Sequence, residues 1–298
     1  MDSRLKKLLQ ALVILAIFGF FAYSLQASWD KLPEYEWKFN YFYLVLSGAL
    51  LLLMSFLTAY LYHIILKKID IKLNLKRVIG ARLISDMGRY VPGKIWLVLG
   101  RLYLFKKEGV EKSKVFLSMM IELPAMMMGG FLLFLATLIW WKDISNIMPQ
   151  MMVLALLPIL LIMMHPKFLN WIINFVLKIF KKDAVRLSLN YFDILKITLF
   201  YGIYWIVYGL AFAMLIHSTY PLGVLQIIQI MGIFPISWII GYLAFITPGG
   251  LGVREGVLVC LLGFIMPVPL AIIFSIASRI WITAFEGIAA LIALRFIR

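Results

Sequence analysis

Charged residues are scarce in this sequence. Only 14% of its 298 residues are Asp, Glu, Lys or Arg, whereas soluble globular domains carry about 25%. Hydrophobic residues make up 64% of the chain, and the mean hydropathy is +0.98. This composition excludes an ordinary soluble domain and is typical of a chain that lies in a bilayer.

Residues that carry enzymatic chemistry are also few. Cys260 is the only cysteine, so the sequence allows no internal disulfide. The three histidines, His63, His165 and His217, are far apart and lack the spacing of metal ligands. Neither a Ser–His–Asp set nor a phosphate-binding glycine loop can be recognised. We therefore expect no metal, no cofactor and no enzymatic activity.

Long apolar runs dominate what is present. A helix needs about 20 residues to cross the roughly 30 Å hydrocarbon core, and backbone groups in lipid must be satisfied within the segment. The runs predict six helical spans, at about 8–25, 42–66, 115–141, 148–164, 194–216 and 270–294. The first resembles a signal peptide but is too long for one, so we expect an uncleaved helix.

The basic residues set the predicted orientation. The net charge is +15, and Lys and Arg cluster in short loops between apolar runs, as at 67–77 and 106–114. Such loops are cytoplasmic under the positive-inside rule, which places both termini in the cytoplasm. The same clustering argues against nucleic-acid binding. Residues 168–180 combine apolar residues at helical spacing with lysines, which predicts an amphipathic helix on the cytoplasmic surface.

Two apolar regions contain a central break. Region 78–105 carries Pro92–Gly93 and is basic on both flanks, so it is predicted to enter and leave the membrane on the cytoplasmic side. Region 222–266 is interrupted at 247–255 and is predicted to do the same from the outer side. The predicted turn residues of the second hairpin are Pro248, Gly249, Gly250 and Gly252.

The predicted fold class is an all-α polytopic membrane protein with six full spans and two re-entrant helical hairpins, about eight hydrophobic segments in all. Residues 1–298 form one transmembrane domain. Its two units, at about 42–141 and 194–294, share the order span, broken hairpin, span, and run in opposite directions. Inverted repeats of this kind recur in transporters. The alternative is that both breaks are ordinary kinks, since Pro and Gly are frequent in membrane helices.

Several ionisable residues lie inside the apolar regions. A charge at membrane depth costs at least a few kcal/mol, so it normally faces a partner or a water-filled cavity. One interpretation is a central polar cavity in which arginines and a lysine hold an anionic group, most simply phosphate, because a guanidinium donates two parallel hydrogen bonds. The alternative is a set of buried ion pairs that lock the fold, with Arg82 and Arg101 at the headgroup level. The candidate residues are Arg89, Lys94 and Arg254 for phosphate, and Asp86, Glu122, Glu255, Arg279 and Glu286 for a balancing charge network.

Two motifs carry a resemblance to a known family. GRYVPGKIW (Gly88–Trp96) and TPGGLGVREG (Thr247–Gly256) resemble the paired signatures of the lysylphosphatidylglycerol synthase transmembrane-region family, also called flippase-like membrane proteins. Glu122 matches the family's glutamate after the first Pro–Gly, although Leu123 stands where arginine often follows. Arg279 matches the arginine of the last helix. The resemblance covers essentially the whole chain, and TPGGLGVRE is its specific part.

The resemblance implies a lipid-translocating domain in the plasma membrane of a prokaryote. Since the sequence stops at Arg298, we expect no fused synthase domain, and therefore a stand-alone flippase for an anionic or polyprenyl-linked lipid. One alternative is an accessory subunit that scaffolds a glycosyltransferase or lipid synthase of envelope assembly. Another is a membrane-embedded lipid transferase, for which no catalytic pair can be named. Membrane lipids, and such a glycosyltransferase, are the expected partners.

Overall fold

The computed structural model describes residues 38–90, 95–141, 162, 165–179, 189–244 and 250–297. Within these ranges every regular element is a helix, which confirms the all-α prediction for this part of the chain. Three short 3-10 turns, Met87–Tyr90, Leu138–Trp140 and Leu294–Phe296, extend longer helices. The α-helices are α1 (Tyr41–Lys68), α2 (Leu75–Asp86), α3 (Ile95–Lys107), α4 (Lys112–Thr137), α5 (Pro166–Ile179), α6 (Tyr191–His217), α7 (Val224–Leu243), α8 (Val253–Leu262) and α9 (Val268–Ala293).

Five of the described helices are long and apolar enough to cross a membrane, so the protein is a multi-pass integral membrane protein. Four of them, α1, α4, α6 and α9, coincide with predicted spans. The fifth, α7, lies inside the second predicted hairpin; its 20 residues make it about 30 Å long, the thickness of the hydrocarbon core. Two predicted spans lie outside the described residues: 8–25, and 148–164 except for residue 162. The total of six spans therefore stays a prediction.

The amphipathic helix predicted at 168–180 is present as α5. Leu169 and Ile173 are buried against the core, whereas Trp171 and Phe175 are exposed. Two of the apolar residues whose spacing predicts the helix, Trp171 and Phe175, therefore lie on its exposed face, and Leu169 and Ile173 form the face against the core. Its location on the cytoplasmic surface stays a prediction.

Each predicted Pro–Gly break separates two helices. The α2 helix and its 3-10 turn end at Tyr90, and α3 begins at Ile95. In the second region α7 ends at Leu243 and α8 begins only at Val253. Gly250 and Gly252 have φ angles of 70° and 83°, which glycine adopts without the steric cost of a Cβ. The other predicted turn residues, Pro92, Gly93, Pro248 and Gly249, lie outside the described residues.

Helices α1 and α6 are neighbours that run in opposite directions. At one end, Lys68 of α1 forms an ion pair with Asp193 of α6 at 2.7 Å. At the other end, the Asn40 amide before α1 donates to the Ser218 carbonyl after α6 at 2.6 Å. The start of each helix therefore lies beside the end of the other.

The helices fall into two groups of four with the same order, α1–α4 and α6–α9. When α1–α4 are matched in order with α6–α9, helix contacts that one group makes have counterparts in the other. Helix α1 packs on α9 as α6 packs on α4, and α2 packs on α9 as α7 packs on α4. Within the groups, α1 packs on α2 as α6 packs on α7. Helix order and packing thus agree with two copies of one four-helix plan.

Helix α6 occupies the centre of the core. It packs on α1, α4 and α7, and the side chains of Tyr201 and Trp205 are fully buried. Trp205 donates its indole N–H to the Met126 carbonyl of α4 at 2.8 Å. A Cβ at Gly129 would lie 2.8 Å from the backbone nitrogen of Gly202. Close approach of this kind is how small residues bring membrane helices together.

Candidate functional site

A cavity of about 260 Å³ lies where the two hairpins meet. Its walls come mainly from α3, α4, α7 and α9, with Arg82 of α2, Tyr208 of α6, and Arg89, Tyr90 and Arg254 next to the hairpin turns. Glu122 in its wall lies about 15 Å along α4 from Lys112, because a helix rises about 1.5 Å per residue. The cavity is therefore level with the middle of a long helix. The charged residues that line it are Arg82, Arg89, Arg101, Glu122, Arg254, Arg279 and Glu286.

Beside the cavity, two arginines and two carboxylates form a closed ring, the charge lattice of Arg82, Asp86, Arg101 and Glu122. Arg82 pairs with Glu122 at 2.8 Å and with Asp86 one helical turn away. Arg101 pairs with Glu122 at 2.6 Å and with Asp86 at 2.7 Å. The lattice ties α2, α3 and α4 together, and its four charges cancel.

The charge lattice is buried among the helices. Arg82 is 4% exposed and Arg101 is 3% exposed, so neither side chain extends to the protein surface as a snorkelling arginine would. The Arg101 guanidinium lies 4.9 Å from the centre of the Tyr62 ring, and the Tyr201 hydroxyl donates to Glu122 at 3.2 Å. A buried guanidinium needs these partners because removing it from water is costly. The carboxylates of α2 and α4 are the partners that stabilise both arginines in the protein interior.

Arg89 connects the first hairpin to the last helix. Its guanidinium pairs with Glu286 of α9 at 3.1 Å and with Asp86 at 3.3 Å. Tyr90 donates its hydroxyl to the same Glu286 at 2.7 Å. Arg89 is 35% exposed in its side chain, so this link faces the cavity rather than the packed core.

Glu255 secures the second hairpin. Its carboxylate accepts a hydrogen bond from the Gly252 amide at 2.7 Å, which caps the start of α8. The other oxygen pairs with Arg279 of α9. Glu255 is 3% exposed, so it acts here as a buried support of the helix start and of Arg279.

Arg254 differs from the other arginines of the cavity. Its guanidinium lies 4.9 Å from the centre of the Phe234 ring. Its Nε and Nη2 atoms are buried and, among the described residues, have no hydrogen-bond partner. Buried guanidinium atoms of Arg82 and Arg101 also lack such a partner, but both of those side chains pair with carboxylates, whereas Arg254 pairs with none among the described residues. A Cβ at Gly241 would lie 2.7 Å from the Arg254 Cβ, so α7 holds the start of α8 closely.

The charge balance around the cavity singles out the same residue. Four of its five arginines, all except Arg254, pair with carboxylates within the described part of the chain. The carboxylates in these pairs also number four: Asp86, Glu122, Glu255 and Glu286. Over the described ranges, one positive charge, on Arg254, is therefore left without a carboxylate.

The structure thus brings most predicted site residues together. Arg89 and Arg254, from different hairpins, line one cavity with Glu122, Arg279 and Glu286, while Asp86 and Glu255 pair with arginines of its wall. Lys94 lies outside the described residues, so its place in the site stays a prediction.

Sequence reasoning missed the aromatic part of the site. Tyr208, Trp238 and Tyr242 line the cavity, and Phe234 supports Arg254. The aromatics of α6 recur at helical spacing, at 201, 204, 205 and 208, which marks one face of the helix. The same spacing is equally typical of simple packing, so it could not have identified a site without Arg254 beside it.

Comparison with protein families gives one match. The model of the family described as lysylphosphatidylglycerol synthase TM region matches residues 8–290. No curated protein gives a significant match. The family match spans nearly all of the chain, including both hairpins and every arginine of the cavity. The chain belongs to the lysylphosphatidylglycerol synthase TM-region family.

Proposed function

We propose that this protein is a passive flippase for a lipid with an anionic phosphate, either a phospholipid or a polyprenyl-linked lipid. It would act in the cytoplasmic membrane of a prokaryote, with both termini in the cytoplasm. The observation that carries the proposal is the guanidinium edge of Arg254, which has no partner among the described residues and lies beside a cavity that both hairpins line.

Phosphate is the ligand that this edge fits best. The Nε and Nη2 atoms point the same way from a planar guanidinium, so they can donate to two oxygens of one phosphate. Leaving buried charged donors without partners costs free energy that a bound anion would recover. Arg89 and Lys94 are the proposed additional contacts, with Arg89 released in part from Glu286 as the phosphate enters.

The two four-helix groups provide a route for alternating access. We propose that they are inverted repeats of a single domain, at about 42–141 and 194–294. The antiparallel course of α1 and α6 and the preserved packing on exchange of the groups support this relation. Rocking of one group against the other would open the cavity to each leaflet in turn.

We further propose that the protein moves its lipid without converting it. The sequence contains no Walker-type nucleotide motif. Net direction would then come from a gradient, or from consumption of the head group on the far side. An envelope-assembly glycosyltransferase is the kind of partner that would supply such consumption.

Leaflet exchange in proteoliposomes tests the proposal. The purified protein is placed in phosphatidylcholine vesicles with trace fluorescent phosphatidylglycerol or polyprenyl phosphate, and dithionite quenches the outer leaflet. Exchange makes the inner-leaflet label accessible too. Arg254→Gln should slow exchange about tenfold or more, because it removes charge-assisted hydrogen bonds worth about 1.5–3 kcal/mol. The matched control is Arg77→Gln, since Arg77 is 62% exposed and pairs with Glu108.

Other outcomes would contradict the proposal. No exchange of any anionic or polyprenyl lipid would count against a flippase. Stable co-purification with a glycosyltransferase, together with intact function after Arg254→Ala, would favour an accessory subunit. Product formation from a lipid donor by the purified protein would favour a transferase.

A further inference from the structure

The cavity has a polar side and an apolar side. The polar side comes from α9 and the hairpin turns, where Arg254, Thr283 and Glu286 lie. On the opposite side, α3 and α4 contribute five apolar residues, Leu97, Val98, Met119, Met120 and Leu123. The two charged residues that these helices add to the lining, Arg101 and Glu122, pair with each other at 2.6 Å. A phosphate held at Arg254 would therefore face a hydrocarbon surface.

Helix α3 separates this apolar side from the outside of the protein. Leu97 and Val98 face the cavity, whereas Leu99 and Trp96 are 48% and 53% exposed. Among the 13 residues of α3, only Arg101 and Phe105 are buried, and neither is among its first six residues. The first half of α3 is thus an apolar wall with one face on the cavity and the other directed outward.

The wall on α4 suits a flexible hydrocarbon chain. Met119 and Met120 contribute unbranched thioether side chains, which adjust to irregular apolar surfaces better than branched ones. Leu123 lies one turn further along the same helix, so these side chains form a continuous apolar strip.

The size of the cavity requires such a strip if a whole lipid is bound. Its volume is about 260 Å³, which is below the roughly 300–1,000 Å³ of pockets that enclose drug-sized ligands. A head group can fit, but long acyl or isoprenoid chains have to leave the cavity. A path along charged residues would be costly for them, so an apolar wall is the favourable exit.

We propose that the hydrocarbon chain of the bound lipid leaves the cavity between α3 and α4, along Leu97, Val98, Met119, Met120 and Leu123. This inference rests on the proposed function, because it takes the phosphate to lie at Arg254. It adds a second binding element, a chain portal that selects hydrocarbon, to the phosphate site.

Photolabelling locates the chain directly. The protein is placed in phosphatidylcholine vesicles that contain phosphatidylglycerol with a diazirine in one acyl chain, irradiated, and mapped by peptide mass spectrometry. The portal predicts labelling of Met120 or Leu123 that unlabelled phosphatidylglycerol competes away. Arg254→Gln should lower this labelling about tenfold, because the phosphate is no longer held. Leu99 on the outer face is the matched control, since bulk lipid should label it equally in both proteins.

A pair of substitutions then tests transport. Met120→Trp fills the portal and should slow exchange of long-chain phosphatidylglycerol while sparing binding of a short-chain, water-soluble analogue. Leu99→Trp adds the same side chain outside the portal and should leave both unchanged.

The two proposals fail differently. Labelling confined to the outer face, in a protein whose exchange activity still depends on Arg254, would overturn the portal and leave the flippase intact. Competable labelling of Met120 without any leaflet exchange would overturn the flippase and leave the chain site. Diazirine-bearing phosphatidylcholine could instead label Met120 as strongly as the phosphatidylglycerol probe, in the wild type and in Arg254→Gln alike. That result would mean that bulk lipid contacts these residues, and it would also overturn the portal.

Discussion

Replacing Glu122 by glutamine tests the charge lattice most directly. Glu122 is 5% exposed and accepts hydrogen bonds from Arg82 at 2.8 Å, Arg101 at 2.6 Å and Tyr201 at 3.2 Å. Glutamine has nearly the same shape but carries no charge. The variant therefore leaves two buried guanidinium groups to share the carboxylate of Asp86.

The expected decrease in the free energy of unfolding follows from the burial of these groups. Removing one partner of a buried ion pair costs about 3–5 kcal/mol, since the remaining charge stays desolvated. Glutamine keeps one acceptor oxygen and Asp86 remains in place, so we expect the lower end, about 3 kcal/mol. With an unfolding entropy of about 2.1 cal/mol/K per residue, this corresponds for 298 residues to a loss of about 5 °C in the midpoint of thermal unfolding.

The effect is measured by heating the protein in detergent. The fraction unfolded at each temperature is read from the loss of monodisperse protein on size-exclusion chromatography. Glu111→Gln is the matched control, because Glu111 is exposed at the start of α4 and makes no capping hydrogen bond. Combining Glu122→Gln with Arg101→Gln restores the charge balance and should recover part of the loss, with a coupling of about 0.5–3 kcal/mol. Equal unfolding midpoints for Glu122→Gln and Glu111→Gln would refute the view that the lattice stabilises the hairpin.

Three further predictions concern the cavity. Gly241→Ala should lower the free energy of unfolding by about 1–3 kcal/mol and weaken phosphatidylglycerol binding, because the new Cβ would lie 2.7 Å from the Arg254 Cβ. In the same thermal assay the control Gly287→Ala, whose Cβ would meet nothing within 4 Å, should leave the protein equally stable or make it more stable. Glu286→Gln removes the charge that pairs with Arg89 at 3.1 Å, so titration should show tighter binding of phosphatidylglycerol and the vesicle assay slower exchange; weaker binding would contradict the role of Arg89. The surplus of one positive charge predicts faster exchange of singly anionic phosphatidylglycerol than of zwitterionic phosphatidylethanolamine, and equal rates would argue against charge recognition.

The broken hairpins show how far local sequence information reaches. Proline and glycine restrict a helix at the position where they stand, so the breaks next to Tyr90 and before Val253 were predictable. Span length is less decisive: the sequence predicts α7 as part of a re-entrant hairpin, yet this helix has the length and composition of a span. Hydropathy measures whether a segment prefers lipid and says little about how deep it goes, because burial against other helices satisfies the same preference.

The charged residues show the opposite limit. Their identity and spacing indicated that they needed partners at membrane depth, and this followed from the cost of an isolated charge in hydrocarbon. Which residue pairs with which depended on contacts between distant segments. Arg82 and Arg101 could equally have lain at the interface until α2, α3 and α4 were packed together around Glu122.

The sequence alone was sufficient for the helical class, the membrane environment, the two breaks and the family resemblance, because each of these depends on residues that are close along the chain. Which arginines pair with carboxylates could be seen only in the tertiary structure. Four of them pair with carboxylates, and Arg254, beside a shared cavity, has a guanidinium edge without a partner in the part of the chain that the structure describes. The physical reason is that Coulomb and hydrogen-bond energies depend on distances of a few ångströms, and only the packing of remote helices sets those distances.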